Sequence, residues 1–146
     1  MSEMDIRWEQ RFSNFKKALA KLGEVALQEN IDDLSDLEKE GMIQRFEYTF
    51  ELAWKTLQDL LRYKGYLDIA GPNPVLERSL KDGYISGENA WRRMKKSREL
   101  TSHTYNSDTA DEIAQNIVDE YYDLLTSLEQ RLEKERGGKQ TTIFEG

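Results

Sequence analysis

Trp8, Phe12, Phe15, Leu19, Leu22 and Ala26 recur at alternating steps of four and three, the spacing that lines up side chains along one face of an α-helix. The same period returns in Phe46, Phe50, Trp54, Leu57 and Leu61, and again in Ile113, Ile117, Tyr121, Leu124, Leu128 and Leu132. An apolar stripe on a helix must be covered by another helix or a sheet, and almost nothing in this chain reads as a strand. The stripes are therefore expected to cover one another.

Local signals set the boundaries. The first helix is expected over about residues 5–28. Ser35-Asp-Leu-Glu38 reads as a capping box opening the second, which stops near Gly65. The loop GYLDIAGPNP holds both prolines, and no helix crosses it. Asn73-Pro74 starts a short helix to about Lys81, closed by Gly83. A third main helix is expected from about Gly87 to Leu100. A fourth begins at Asp108 or Thr109, with Thr109-Ala-Asp-Glu112 as a further capping box and Gly137-Gly138 as its end. The fold class expected is all-α, an antiparallel up-and-down four-helix bundle with a short extra helix between helices two and three. Residues 1–136 are expected to form the single domain and 137–146 a flexible tail.

Totals narrow the function. No apolar run approaches the roughly 20 residues that span a bilayer, and the charged start MSEMDIRWEQ is unlike a signal peptide, so a cytoplasmic protein is expected. Without cysteine, disulfides and thiolate metal sites are excluded. With one histidine, a zinc site would have to lean on carboxylates, so no metal and no cofactor are expected. The formal net charge of −7 makes the surface as a whole unattractive to nucleic acid, so any such contact needs a local patch.

Helix three offers that patch. The octet WRRMKKSR carries Arg92, Arg93, Lys95, Lys96 and Arg98. It reads either as a solvated face with cations near a helix C-terminus or as a phosphate-binding ridge. Trp91, Met94 and Arg98 fall at i, i+3 and i+7, so Arg98 continues an apolar stripe. Its guanidinium either reaches water at the helix end or meets a partner charge, a phosphate or a cleft. His103 and Tyr105 follow the helix end. Histidine is the only side-chain type in this chain whose ordinary titration range lies near neutrality, and His103 reads as either a proton carrier or a surface residue. On a continued helix Arg98 and His103 would point about 140° apart; a turn lets both face one cleft.

Arg98, four residues, His103, one residue and Tyr105 resemble the R-x4-6-H motif, extended by x-Y, of HEPN domains, which are four-helix bundles. FELAWKTLQDLLRYKG, the Pro74 segment, LKDGYIS, Trp91 and SHTYN follow the order of one HEPN branch, the nucleotidyltransferase substrate-binding proteins related to HepT toxins. The resemblance covers roughly residues 5–135. It implies a homodimer that partners a separate minimal nucleotidyltransferase. In toxin members the motif arginine and histidine, here Arg98 and His103, carry metal-independent ribonuclease activity, and the partner adenylylates the motif tyrosine, here Tyr105. The alternative implied for this branch is a non-catalytic subunit that binds nucleotide or substrate for the transferase. One departure stands out: Asn, Asp or His usually follows the motif arginine in active members, and here it is Glu99. The chain itself lacks the Gly-Ser and paired aspartates of a nucleotidyltransferase.

Overall fold

The structure, a computed structural model, describes residues 3–27 and 30–145, with side chains followed to Gly137. Every element among the described residues is helical: α1 (Glu3–Ala26), α2 (Asp36–Tyr63), α3 (Pro72–Lys81), α4 (Glu88–Leu100), α5 (Ser107–Asn116) and α6 (Tyr122–Glu145). A π turn, Ile117–Tyr121, joins α5 to α6 without a break, so the two act as one long fourth helix.

The contacts between helices give their directions. Arg45 Nη1 donates to the carbonyl of Lys21 at 2.6 Å and Arg11 pairs with Asp59 at 3.0 Å, so α1 and α2 run antiparallel. Lys16 pairs with Glu133, and Arg136 lies 5.5 Å over the Phe12 ring, which makes α6 antiparallel to α1. Lys39–Asp111 and Lys64–Glu135 contacts at 3.1 and 2.7 Å show α2 running parallel to the α5–α6 unit. That is the relation of second and fourth helices in an up-and-down bundle.

The expected stripes form the core, where each buried Phe or Leu contributes roughly 1.5–3 kcal/mol. Phe46 stacks on Tyr121 at 5.5 Å between ring centres, and Phe50 meets Trp91 at 6.5 Å, drawing α4 onto α2. The Ser35 capping box is complete, with Glu38 N–H on Ser35 Oγ and Ser35 N–H on Glu38 Oε1. Gly87, at φ 84°, turns the chain into α4 in a left-handed conformation that side chains with a Cβ resist.

Four local expectations need correction. Trp54 is only partly buried and Ala53 takes the core position. Two successive steps of four from Phe46 advance the position by about 80° around a helix, which swings Trp54 off the seam. Leu125 replaces Leu124 in the core. The π turn widens the coil, so Ile113, Ile117, Tyr121 and Leu125 stay on one face through three steps of four. The fourth helix starts earlier than Asp108, because the Asn106 side chain accepts from the N–H groups of Asp108 and Thr109; no Thr109 capping box forms. Finally, Gly137-Gly138 does not end the last helix, whose backbone continues to Glu145. Glycine terminates a helix by adopting positive φ, and Gly137 does not; inside a helix it costs only about 1 kcal/mol relative to alanine. The first helix ends at Ala26, and Gln28, its expected end, lies outside the described residues, as do the side chains of the expected tail beyond Gly137.

Candidate active site

The motif occupies the shortest connection between main helices in the bundle. Thr101 ends α4: its Oγ1 donates to the carbonyl of Arg98 at 2.7 Å, and its N–H reaches the same carbonyl. A single 3-10 turn, Thr101–His103, follows, and Asn106 N–H donates to the carbonyl of His103 at 3.1 Å before capping α5. Arg98, His103 and Tyr105 thus sit on one helix end and its turn. From behind, α4 is held by Tyr121 of the π turn, whose hydroxyl donates to the Arg93 carbonyl at 3.1 Å and shares a 2.6 Å hydrogen bond with Ser97. Burial raises the Tyr121 pKa, so the hydroxyl stays protonated in this role.

His103 and Tyr105 belong to the surface. His103 is exposed, Tyr105 is 86% exposed, and their rings meet edge to face at 6.0 Å. Neither supports the core.

Arg98 is different. It lies half-buried with Nε 3.1 Å from Glu51 Oε1 on α2, while Nη1 donates to Thr101 Oγ1 at 3.1 Å. Of the alternatives for an arginine on an apolar stripe, the structure shows the partner carboxylate. The Nε–H is buried but not aligned on that carboxylate, so the contact is ionic attraction without a directed hydrogen bond. Trp54 holds the other oxygen, Nε1 donating to Glu51 Oε2 at 3.1 Å. Glu51, Trp54 and Thr101 were not legible as site residues. Thr101 could have been found, three positions after Arg98 on a helix end. Glu51 lies on another helix and has no local signature; the off-seam Trp54 was its only trace.

The basic ridge is largely paired. Arg92 binds Glu88 at 2.7 Å, Arg93 grips Glu120 with two bonds at 3.1 and 2.9 Å, and Lys95 reaches Glu99 at 2.5 Å. The Glu120 hydrogen bond raises the Arg93 pKa, and the Lys95 hydrogen bond holds the Glu99 carboxyl below its usual range. Lys96 has no ion pair among the described residues. Glu99 therefore turns back along α4 to Lys95, while Arg98 is met by Glu51. No cluster of metal-ligating side chains occurs among the described residues, and no helix there is long and apolar enough to cross a membrane.

Taken together, fold and motif define a class: a helical bundle carrying a partly buried arginine and an exposed histidine–tyrosine pair at one helix end. The family model described as "Nucleotidyltransferase substrate binding protein like" matches residues 10–134, and the chain belongs to that family, the HEPN branch indicated by its motifs. It is 31% identical over 98 residues to a Haemophilus influenzae protein named "Probable ribonuclease HepT", covering 62% of this chain and 67% of that one. A crystal structure from Thermus thermophilus is similar at 39% identity with a TM-score of 0.73, over 81% of this chain and 98% of the other. A second solved structure, from Haemophilus influenzae, is described as the fold of a substrate binding domain of a nucleotidyltransferase. It shares that fold at 23% identity and a TM-score of 0.62, over 90% and 99% of the two chains.

Proposed function

We propose that this chain is the HEPN subunit of a two-protein, toxin–antitoxin-like module, a metal-independent endoribonuclease whose Tyr105 is adenylylated by a separate minimal nucleotidyltransferase. The observation that carries the reading is the exposure of His103 and Tyr105 in the turn that follows Arg98. A histidine held there has no packing role, is open to a polymeric substrate, and lies close in sequence and in space to the tyrosine that would control it. Similarity to the HepT relative supports the same assignment.

The chemistry sets the assembly. Cleavage without metal needs a base for the 2′-hydroxyl proton, an acid for the leaving oxygen and a cation for the phosphorane charge. One chain supplies a single imidazole. A two-fold dimer that pairs the two α4 ends supplies both imidazoles and two Arg98 groups. The homodimer is thus the expected active unit. Purified protein should sediment as a dimer at micromolar concentration and cleave RNA with EDTA present. A monomer with full activity overturns the dimer requirement, and a dimer without activity overturns the ribonuclease assignment.

One observation favours a second reading. The Arg98 charge is already met by Glu51, and the adjacent ridge is mostly paired, which suits a non-catalytic subunit that binds nucleotide or substrate for the transferase. Titration calorimetry showing ATP binding by a dimer that leaves RNA intact would select it.

The ridge enters both readings as a phosphate track. Converting Arg92, Arg93, Lys95 and Lys96 together to Gln removes four cations, three of them in surface pairs that each contribute about 0–1 kcal/mol, so folding should persist. RNA or nucleotide affinity should fall, and the slope of log affinity against log salt should flatten by several units. An unchanged slope identifies the ridge as a solvated face.

A further inference from the structure

Arg98 is the group the proposed reaction needs most for charge, yet it is the member of the motif that the bundle restrains most. Its guanidinium is fixed at two points, Glu51 on α2 and Thr101 in the turn that also carries His103. Glu51 is itself fixed, since Trp54 on the same helix donates to its second oxygen. The chain Trp54–Glu51–Arg98–Thr101 therefore runs from the middle of α2 to the motif turn. A surface ion pair made only for stability has no need of such a chain, because two long free side chains gain at most about 1 kcal/mol.

We propose that Glu51 is the positioning residue for Arg98, a carboxylate that holds the Nε edge of the guanidinium inward and leaves its remaining N–H groups directed at an RNA phosphate. This deepens the ribonuclease reading and rests on it. Two consequences follow. Fixing the guanidinium raises turnover, because a displacement of about 1 Å in a catalytic group can cost on the order of 100-fold in rate. The same negative charge opposes the substrate phosphate, so Glu51 weakens ground-state binding while it orders the transition state. Its removal should therefore lower kcat and KM together, a pattern that loss of folded protein does not give.

The test uses the purified homodimer and an RNA substrate with EDTA present. Glu51→Ala should reduce kcat by about 10- to 100-fold with KM unchanged or a few-fold lower. Glu51→Gln keeps an oxygen able to accept from Trp54 but loses the charge that attracts Arg98, so its kcat should fall with that of Glu51→Ala and its KM should likewise be unchanged or lowered. Wild-type kcat in Glu51→Ala, or a rise in KM without a fall in kcat, overturns the proposal. An activity-independent arm reads the Arg98 side chain by the ¹⁵Nε resonance, assigned by its loss in Arg98→Lys. A distinct Arg98 signal in the wild type should merge with the solvated arginines in both Glu51→Gln and Glu51→Ala. If it is unmoved in Glu51→Ala, Glu51 does not position Arg98. If it moves while the wild-type dimer leaves RNA intact, the positioning stands and the ribonuclease reading fails.

Discussion

His103→Ala yields a folded dimer that no longer cleaves RNA. The imidazole is exposed, with its ring edge to face with that of Tyr105, so the change should shift stability by no more than about 0.5 kcal/mol. Its chemical effect is large, because each protomer would contribute one imidazole and the substitution removes acid and base together. A positioned acid or base typically contributes 10²- to 10⁴-fold, so the double loss puts cleavage below detection in an ordinary gel assay. No other side chain here replaces it without a large pKa shift. Arg98→Ala should also remove activity, by about 10²- to 10³-fold, through the uncompensated phosphorane charge. Unlike the histidine it should cost some stability, since Glu51 then loses its cation. The measurements are a thermal melt and RNA cleavage on the same preparations. An unfolded His103→Ala protein would return the histidine to a structural role, and an active one would remove it from the mechanism.

Much of this molecule was written in local spacing. The stripes on α1, α2 and the fourth helix, the Ser35 cap and the glycine entry to α4 each follow from residues within one or two turns of one another, and the bundle follows from the need to cover the stripes. Arg98 gave a sharper clue, because an arginine on an apolar face either snorkels to water or meets a partner. That the partner is Glu51 depends on how α4 crosses α2, which no local pattern encodes. Leu125 was missed for a related reason: on a straight 3.6-residue period a step of three follows two steps of four and points to Leu124, and that period cannot register a π turn. The ridge shows a further limit of local counting. Counting cations on one octet missed Glu88 and Glu99 on the same helix and Glu120 on another, which neutralise three of its members.

Tyr105→Phe is expected to abolish adenylylation by the nucleotidyltransferase while leaving ribonuclease activity and stability unchanged. In the proposed transfer the phenolic oxygen attacks the α-phosphorus of ATP. The bond from that phosphorus to the bridging oxygen breaks, pyrophosphate departs, and the phenolic proton passes to a base on the transferase. The variant deletes only the attacking oxygen. The ring stays, and with it the edge contact to His103, while 86% exposure means that the lost hydroxyl leaves no buried group unpaired. The chain has seven tyrosines, so specificity must come from access and geometry. Tyr121 is enclosed and hydrogen-bonded, and Tyr48 and Tyr66, the other tyrosines with substantial exposure, are 38% and 37% exposed and sit outside the motif turn. Attaching an adenylyl group to Tyr105 places a phosphodiester anion and a bulky nucleoside beside His103, where it would repel and obstruct an RNA backbone. The assay incubates each dimer with the transferase, ATP and magnesium, then follows intact mass and the tyrosine-containing peptides before measuring RNA cleavage in EDTA. Wild-type protein should gain the adduct on the Tyr105 peptide and lose cleavage in proportion. Tyr105→Phe should gain no adduct and stay active. A nucleotide adduct that persists in Tyr105→Phe, or wild-type cleavage undiminished by complete modification of Tyr105, would remove the tyrosine from control of the site.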